Sequence, residues 1–196
     1  MTPLCELAIK HKTDKGGGFM HHYTPVYYGL FNARRNEIQK VLEIGIGFDN
    51  SEGMKHVPDY KHGASLRMWQ EFFPNAQIYG ADIQESSLFN EDRIKCFYCD
   101  QSRQSSLVAL KESIGGDFDI IIDDGSHRPD HYILTAKELL PLLKQDGIYL
   151  IEDVHYSFIQ RVIGELSQDY NVEIVRLNPD NDKTLVDDNL AVIRNK

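Results

Sequence analysis

The stretch DFDIIIDDGSHRPDHYILTAKELLPLLKQDGIYLIEDV, residues 117–154, decides the fold. It opens with an apolar β-branched run, Ile120 to Ile122, that stops at Asp123, Asp124 and a glycine. A second apolar run, Ile148 to Ile151, stops at Glu152 and Asp153. The intervening RPDHYILTAKELLPLLKQDG places Ile133, Leu134, Leu139, Leu140 and Leu143 in an amphipathic pattern and reads as a helix. A helix between two fully apolar strands implies parallel strands covered on both faces.

The same alternation extends outward. KVLEIGIG (40–47), AQIYGADI (76–83) and RIKCFYCD (93–100) read as further strands. SLRMWQEFF reads as a helix with Ser65 as its N-cap, and SRQSSLVALKESIGG as one that stops at a glycine pair. YSFIQRVIGELSQ is a further amphipathic pattern. The last two runs, NVEIVRL (171–177) and DDNLAVIRN (187–195), are joined only by NPDNDKTLVD, too short for a crossover, so they are expected to pair antiparallel. The expectation is a three-layer α/β fold whose seven-stranded, mostly parallel sheet carries an antiparallel C-terminal hairpin strand. One domain spans 1–196, with its core in 40–196. Residues 1–39 form a helical and loop extension over the carboxyl edge of the sheet.

Composition excludes several classes. The chain has 196 residues, 41% hydrophobic and 26% charged, as in ordinary globular domains. Its net charge of −9 repels a phosphate backbone or an anionic membrane, and Arg34-Arg35 and Arg93 to Lys95 are too small to make a basic patch. Neither nucleic acid nor membrane is expected as a partner. No run approaches the roughly 20 apolar residues of a membrane span, and MTPLCELAIKHKTDK lacks the pattern of a secretion signal. With three cysteines, Cys5, Cys96 and Cys99, the expected setting is a reducing, cytoplasmic one. The C-x-x-C of Cys96 and Cys99 has no second pair to complete a zinc site, and reads as partly buried thiols in or beside a strand.

In open α/β sheets ligands bind beyond the carboxyl ends of the strands. The first strand ends in Glu43-Ile-Gly45-Ile-Gly47, where glycines allow tight turns and close backbone approach. The second ends in Asp82-Ile83, placed to accept from two ribose hydroxyls, and the third in Asp100-Gln101, placed to accept from an adenine amino group. Together they favour an adenosine ligand without separating S-adenosyl-L-methionine from NAD. Taken singly, each acid also fits a strand-end cap. The long FDNSEGMKHVPDYKHGA after Gly47 reads as a lid or acceptor-binding loop.

Neighbouring strand ends lie about 4.8 Å apart, so Asp123, Asp124, Glu152, Asp153 and His127 converge at one edge. Carboxylates so close repel, and burial raises the cost. A divalent cation such as Mg2+, an oxygen-seeking ion that keeps waters, removes the conflict and leaves places for a vicinal diol. His127, three residues past Asp124, can take a proton from a hydroxyl near neutrality. The alternative is that Asp123 and Asp124 cap the next helix and His127 only packs.

These elements resemble the metal-dependent sugar O-methyltransferases that tailor macrolides and other glycosylated natural products. The resemblance rests on Asp123-Asp124-Gly-Ser-His127, Ile151-Glu152-Asp153, SLRMWQEFFPNAQIYGADI, Thr13-Asp14-Lys15, His22-Tyr23-Thr24 and Tyr27. The sheet likewise resembles that of class I methyltransferases. The resemblance implies S-adenosyl-L-methionine as donor, Mg2+ held by Asp124, Glu152 and Asp153, and His127 as general base. It places Lys15 and Tyr23 near the methionine end of the cofactor. The expected cofactor set is then Lys15, Tyr23, Glu43, Gly45, Gly47, Ser65, Asp82, Ile83, Asp100, Gln101 and Asp123. Macrolide enzymes carry a large N-terminal domain not contained in these 196 residues, and Val154-His155-Tyr156-Ser157 replaces a threonine and aromatic pattern. A sugar, glycan or small phosphorylated precursor is the expected acceptor, and a homo-oligomer is the expected assembly. The rival readings are an NAD(P)-dependent oxidoreductase and a non-catalytic adenosyl-ligand-binding protein.

Overall fold

A computed structural model of the chain describes residues 1–16, 21–49, 57–177 and 188–196. The middle of the loop expected to act as a lid, and the connection between the last two strands, lie outside the described residues.

Five strands run parallel: β1 (Lys40–Ile44), β2 (Gln77–Asp82), β4 (Ile94–Tyr98), β5 (Phe118–Asp123) and β6 (Leu143–Ile151). The terminal strands β7 (Tyr170–Arg176) and β8 (Asn189–Asn195) pair antiparallel, and β8 slots between β6 and β7. A two-residue strand, β3 (Asn90–Glu91), pairs antiparallel with β4 at the other edge. Among the described residues the sheet therefore has eight strands, in the order β3-β4-β2-β1-β5-β6-β8-β7, where seven were expected. The addition is a stub too short to leave a hydrophobic pattern in the sequence.

Alternate residues of the buried strands face opposite layers. Val41, Ile78, Ile120, Ile122 and Leu150 pack with α1 (Pro3–His11), α2 (Tyr23–Phe31) and α3 (Ala64–Phe72). Leu42, Ile44, Ile121, Tyr149 and Ile151 pack with α4 (Gln104–Ile114), α5 (Pro129–Leu139) and α6 (Ile159–Leu166). The N-terminal segment joins this architecture as a packed layer, with Leu4, Ala8, Tyr23, Tyr27 and Phe31 all buried. Helix α1 is well punctuated. Thr2 Oγ1 accepts from the Cys5 amide at 3.3 Å, Pro3 opens the first turn, and Lys10 and His11 close the last.

Two element boundaries differ from expectation. The helix after Asp124 stops at Leu139, and β6 begins at Leu143. Pro141, within a single 3-10 turn at Leu140–Leu142, has no amide to continue the helical ladder. Ser65 does not cap α3. The cap is Gly63, at φ +70°, where a Cβ would sit 2.3 Å from the Phe89 ring. Ser65 lies inside the first turn, and its hydroxyl is used elsewhere.

Candidate active site

Strand register sets the site. Ile44 lies beside both Ala81 and Asp123, and Asp123 beside Ile151. The residues that follow each strand therefore meet at one edge. They border a cavity of about 640 Å3 lined by Lys15, His21, Gly45, Gly47, Asp82, Ile83, Asp100, Gln101, Asp124, His127 and Asp153, among others. Ser65 also reaches this lining, whereas Tyr23, Glu43, Asp123 and Glu152 stand behind it.

On one side of the cavity, Asp82 is held by two backbone amides. Its Oδ2 accepts from Ile46 at 2.9 Å and its Oδ1 from Gln84 at 2.8 Å. This fixes the carboxylate at the cavity wall with lone pairs to spare for hydroxyls. Asp100 Oδ1 accepts from the Ser102 hydroxyl at 2.6 Å and the Ser102 amide at 3.0 Å, and these bonds lower its pKa. Ile83 is exposed beside them, an apolar surface at the mouth. The glycines serve the chain's own packing. Gly45, at φ +83°, sits where a Cβ would fall 2.1 Å from the Asp124 carbonyl oxygen, and Gly47, at φ +68°, where it would fall 2.0 Å from the Tyr60 hydroxyl.

Several expected cofactor residues turn out to brace the walls. Gln101 Nε2 donates to Asp123 Oδ1 at 3.0 Å and Thr135 Oγ1 at 3.1 Å, while its carbonyl accepts from the Ser126 amide. Asp123 also accepts from the Tyr149 hydroxyl at 3.3 Å, and burial pushes its carboxyl up to about 6. Its Oδ1 also accepts from the Gly125 amide at 3.4 Å, which tethers the Gly125–Ser126 turn from behind. Glu43 accepts from Ser65 Oγ at 2.7 Å and from Trp69 Nε1 at 2.6 Å, entirely within the protein.

On the acidic side, Asp124, His127 and Asp153 offer ligand atoms that all lie within 4.8 Å of one another. His127 is 45% exposed, and its Nδ1 lies 3.5 Å from Asp153 Oδ2. Both residues adopt the left-handed backbone region, His127 at φ +54° and Asp153 at φ +51°. That conformation is costly for residues with a Cβ and is tolerated where surrounding contacts impose it. For Asp153 those contacts are visible. Tyr23 donates its hydroxyl proton to Oδ1 at 2.5 Å and accepts from the Asp153 amide at 2.9 Å. Burial, then the Asp124 charge, push the Asp153 carboxyl upward. The two carboxylates suit a divalent ion, with the imidazole beside them.

Glu152 is not with them. Its Oε2 accepts from Lys15 Nζ at 2.8 Å and its Oε1 from the Tyr27 hydroxyl at 2.6 Å. Lys15 Nζ also lies 2.6 Å from Asp124 Oδ2 and 3.3 Å from Glu43 Oε1. The expectation that a divalent cation removes the conflict among these crowded acids needs correcting in one respect, because a lysine already does so in part. Burial works against the Lys15 charge, yet Asp124, Glu152 and Glu43 outweigh it and hold its pKa well above the ordinary value.

Two further groups were not anticipated. His21 stacks on Tyr23 with centroids 5.2 Å apart, and its Nδ1 lies 3.3 Å from Asp188 Oδ1 and 3.5 Å from Asp153 Oδ1. Burial opposes its charge, but Asp188 and Asp153 raise its pKa to about 9. Tyr60 lines the cavity beneath Gly47. The histidine was legible only as part of the aromatic run around Tyr23. Asp188 is 167 residues away in sequence, so nothing local announces the pair. The cysteines agree with expectation: Cys96 and Cys99 are free, and burial pushes both thiols up to about 11.

No family model matches the chain. It is 42% identical over 155 residues to mycinamicin VI 2''-O-methyltransferase of Micromonospora griseorubida, covering 79% of this chain and 37% of that protein. It is 35% identical over 172 residues to 8-demethyl-8-alpha-L-rhamnosyl tetracenomycin-C 2'-O-methyltransferase of Streptomyces olivaceus, covering 87% of this chain and 43% of that one. Among solved structures, MycE methyltransferase in complex with Mg, SAH and mycinamycin VI aligns with a TM-score of 0.78 at 31% identity, over 99% of this chain and 54% of that one. The chain spans less than half the length of these two curated relatives. It thus has the methyltransferase Rossmann-like fold and is a homologue of sugar O-methyltransferases, matched over part of their length.

Proposed function

We propose that the chain is an S-adenosyl-L-methionine-dependent, divalent-metal-assisted O-methyltransferase acting on a hydroxyl of a sugar or of a small glycan or phosphorylated precursor. The observation that carries the reading is the meeting of Asp124, His127 and Asp153 at the mouth of the cavity that Asp82 and Asp100 line. The relatives named as methyltransferases, and the solved neighbour bound to Mg and SAH, support the same reading.

In this assignment Asp82 accepts from the ribose hydroxyls and Asp100 from the adenine edge. Gln101, Asp123, Glu43 and Ser65 hold the walls, and Gly45 and Gly47 keep the turn tight enough for the cavity to exist. When bound, the donor would supply an electrophilic methyl group, and a divalent ion would supply Lewis-acid assistance to the acceptor hydroxyl. Asp124, Asp153 and, once released by Lys15, Glu152 would hold such an ion. His127, half exposed at the rim, takes the proton of the attacking hydroxyl. Its contact with Asp153 orients the imidazole and stabilises it once protonated. Asp153 is itself fixed by Tyr23, so the base inherits its position from α2. Lys15 and Tyr23, from the N-terminal segment, thus complete the site.

Calorimetry with S-adenosyl-L-methionine tests the donor, and binding heat is expected for the wild type and for His127→Ala alike. Absence of heat in both, with a folded protein, rejects the donor assignment. A His127→Ala variant that methylates an accepted sugar at the wild-type rate rejects the base.

A further inference from the structure

Lys15 is 1% exposed, and its ammonium stands between two of the three residues expected to hold the metal. One nitrogen within 2.6 Å of Asp124 Oδ2 and 2.8 Å of Glu152 Oε2 brings those oxygens close enough together for a single small cation to bridge them. A divalent ion with bonds of about 2.0–2.1 Å makes the same demand on the same oxygens. The two cations cannot share that ground, because like charges a few ångströms apart in a buried setting repel strongly. A third carboxylate lies within reach of the lysine. Glu43 Oε1, at 3.3 Å, is the longest of the three contacts, and Glu43 is already supported by Ser65 and Trp69. The backbone of Lys15 is pinned by its carbonyl, which accepts from the Thr24 amide at 3.1 Å. Only the flexible end of the side chain need pivot.

We propose that Lys15 is an exchangeable counter-cation. It holds Asp124 and Glu152 while the divalent ion is absent, and passes to Glu43 when the ion takes those two carboxylates. The inference rests on the metal reading above. It has two consequences. The buried acids are never left bare when the metal leaves, so the protein stays folded without it. The ammonium also competes with the ion and lowers its apparent affinity. Glu152, shut away from the other ligands by Lys15 in this structure, becomes available only on exchange.

The test compares wild type, Lys15→Met and Lys15→Arg by thermal melting, first in EDTA and then across a MgCl2 titration. Lys15→Met, which keeps the length and removes the charge, is expected to melt lower than wild type in EDTA. It is expected to gain more from Mg2+ and to reach half-saturation at about tenfold lower concentration, since the competing charge is gone. Lys15→Arg keeps the charge and is expected to keep the wild-type midpoint. If Lys15→Met is unfolded in EDTA, Mg2+ must refold it, and a variant that stays unfolded in saturating Mg2+ overturns the proposal. Equal midpoints for wild type and Lys15→Met overturn it while leaving the metal site standing. So does an arginine variant with the midpoint of the methionine variant, because charge is then not the cause. No response to Mg2+ in any of the three overturns the metal reading and this proposal with it.

Discussion

Tyr23 and Asp153 are joined twice: the phenol donates to the carboxylate at 2.5 Å and accepts from the same residue's amide at 2.9 Å. One side chain from the N-terminal layer therefore fixes both the backbone and the carboxylate of a residue that lies in the left-handed region. Tyr23→Phe keeps the ring stacked in the core but leaves that amide and one charge-assisted bond without a partner. The expected cost is about 1–3 kcal/mol. A supporting bond to a metal-binding carboxylate is also worth roughly tenfold or more in ion affinity. Thermal melting and a Mg2+ titration check both, and an unchanged melting temperature contradicts the bracing role.

Gly45 and Gly164 give opposite expectations for the same substitution. Gly45→Ala forces a Cβ to 2.1 Å from the Asp124 carbonyl oxygen at φ +83°, so the turn carrying Asp124 must move. A loss of about 2 kcal/mol or more is expected, with weaker cofactor binding. Gly164 lies within α6, and a Cβ there meets nothing within 4 Å. Gly164→Ala is expected to stabilise by about 0.5–1 kcal/mol. Urea titrations of both variants decide the matter, and equal effects contradict it.

The thiols of Cys96 and Cys99 are pushed up by burial from an ordinary value near 9 to about 11. Between those values the folded state keeps protons that the unfolded state releases. Stability therefore falls as pH rises from about 9 to 11, and below 9 these groups have no effect on it. At neutral pH both thiols are expected to react far more slowly with a disulfide reagent in the native protein than in urea. Fast stoichiometric labelling of the native pair at pH 7 contradicts this.

What could be read from the sequence was whatever leaves a local pattern. The apolar runs ending at Ile122 and Ile151 located the strands, and the acids after them located the edge where the site lies. His127 and Asp153 were found together for that reason. Long-range partnerships leave no such pattern. Lys15 meets Asp124 across 109 residues and Glu152 across 137, so the internal cation could not be seen among the acids it serves. Gln101 and Asp123 stand at strand ends and Ser65 in the first turn of α3, yet their side chains turn to Thr135, Tyr149 and Glu43 respectively, a choice of direction that spacing does not encode. Gly63 rather than Ser65 starts α3 because its positive φ and the Phe89 ring leave no room for a Cβ.

Asp124 and Asp153 meet at the cavity rim, where the proposed site holds a divalent ion beside His127. Crystals grown with S-adenosylhomocysteine and Mn2+ test it through anomalous scattering. A peak is expected within bonding distance of both carboxylates, with Lys15 Nζ drawn back toward Glu43. A cofactor-filled cavity with no such peak, and the two carboxylates turned apart toward solvent, contradicts it.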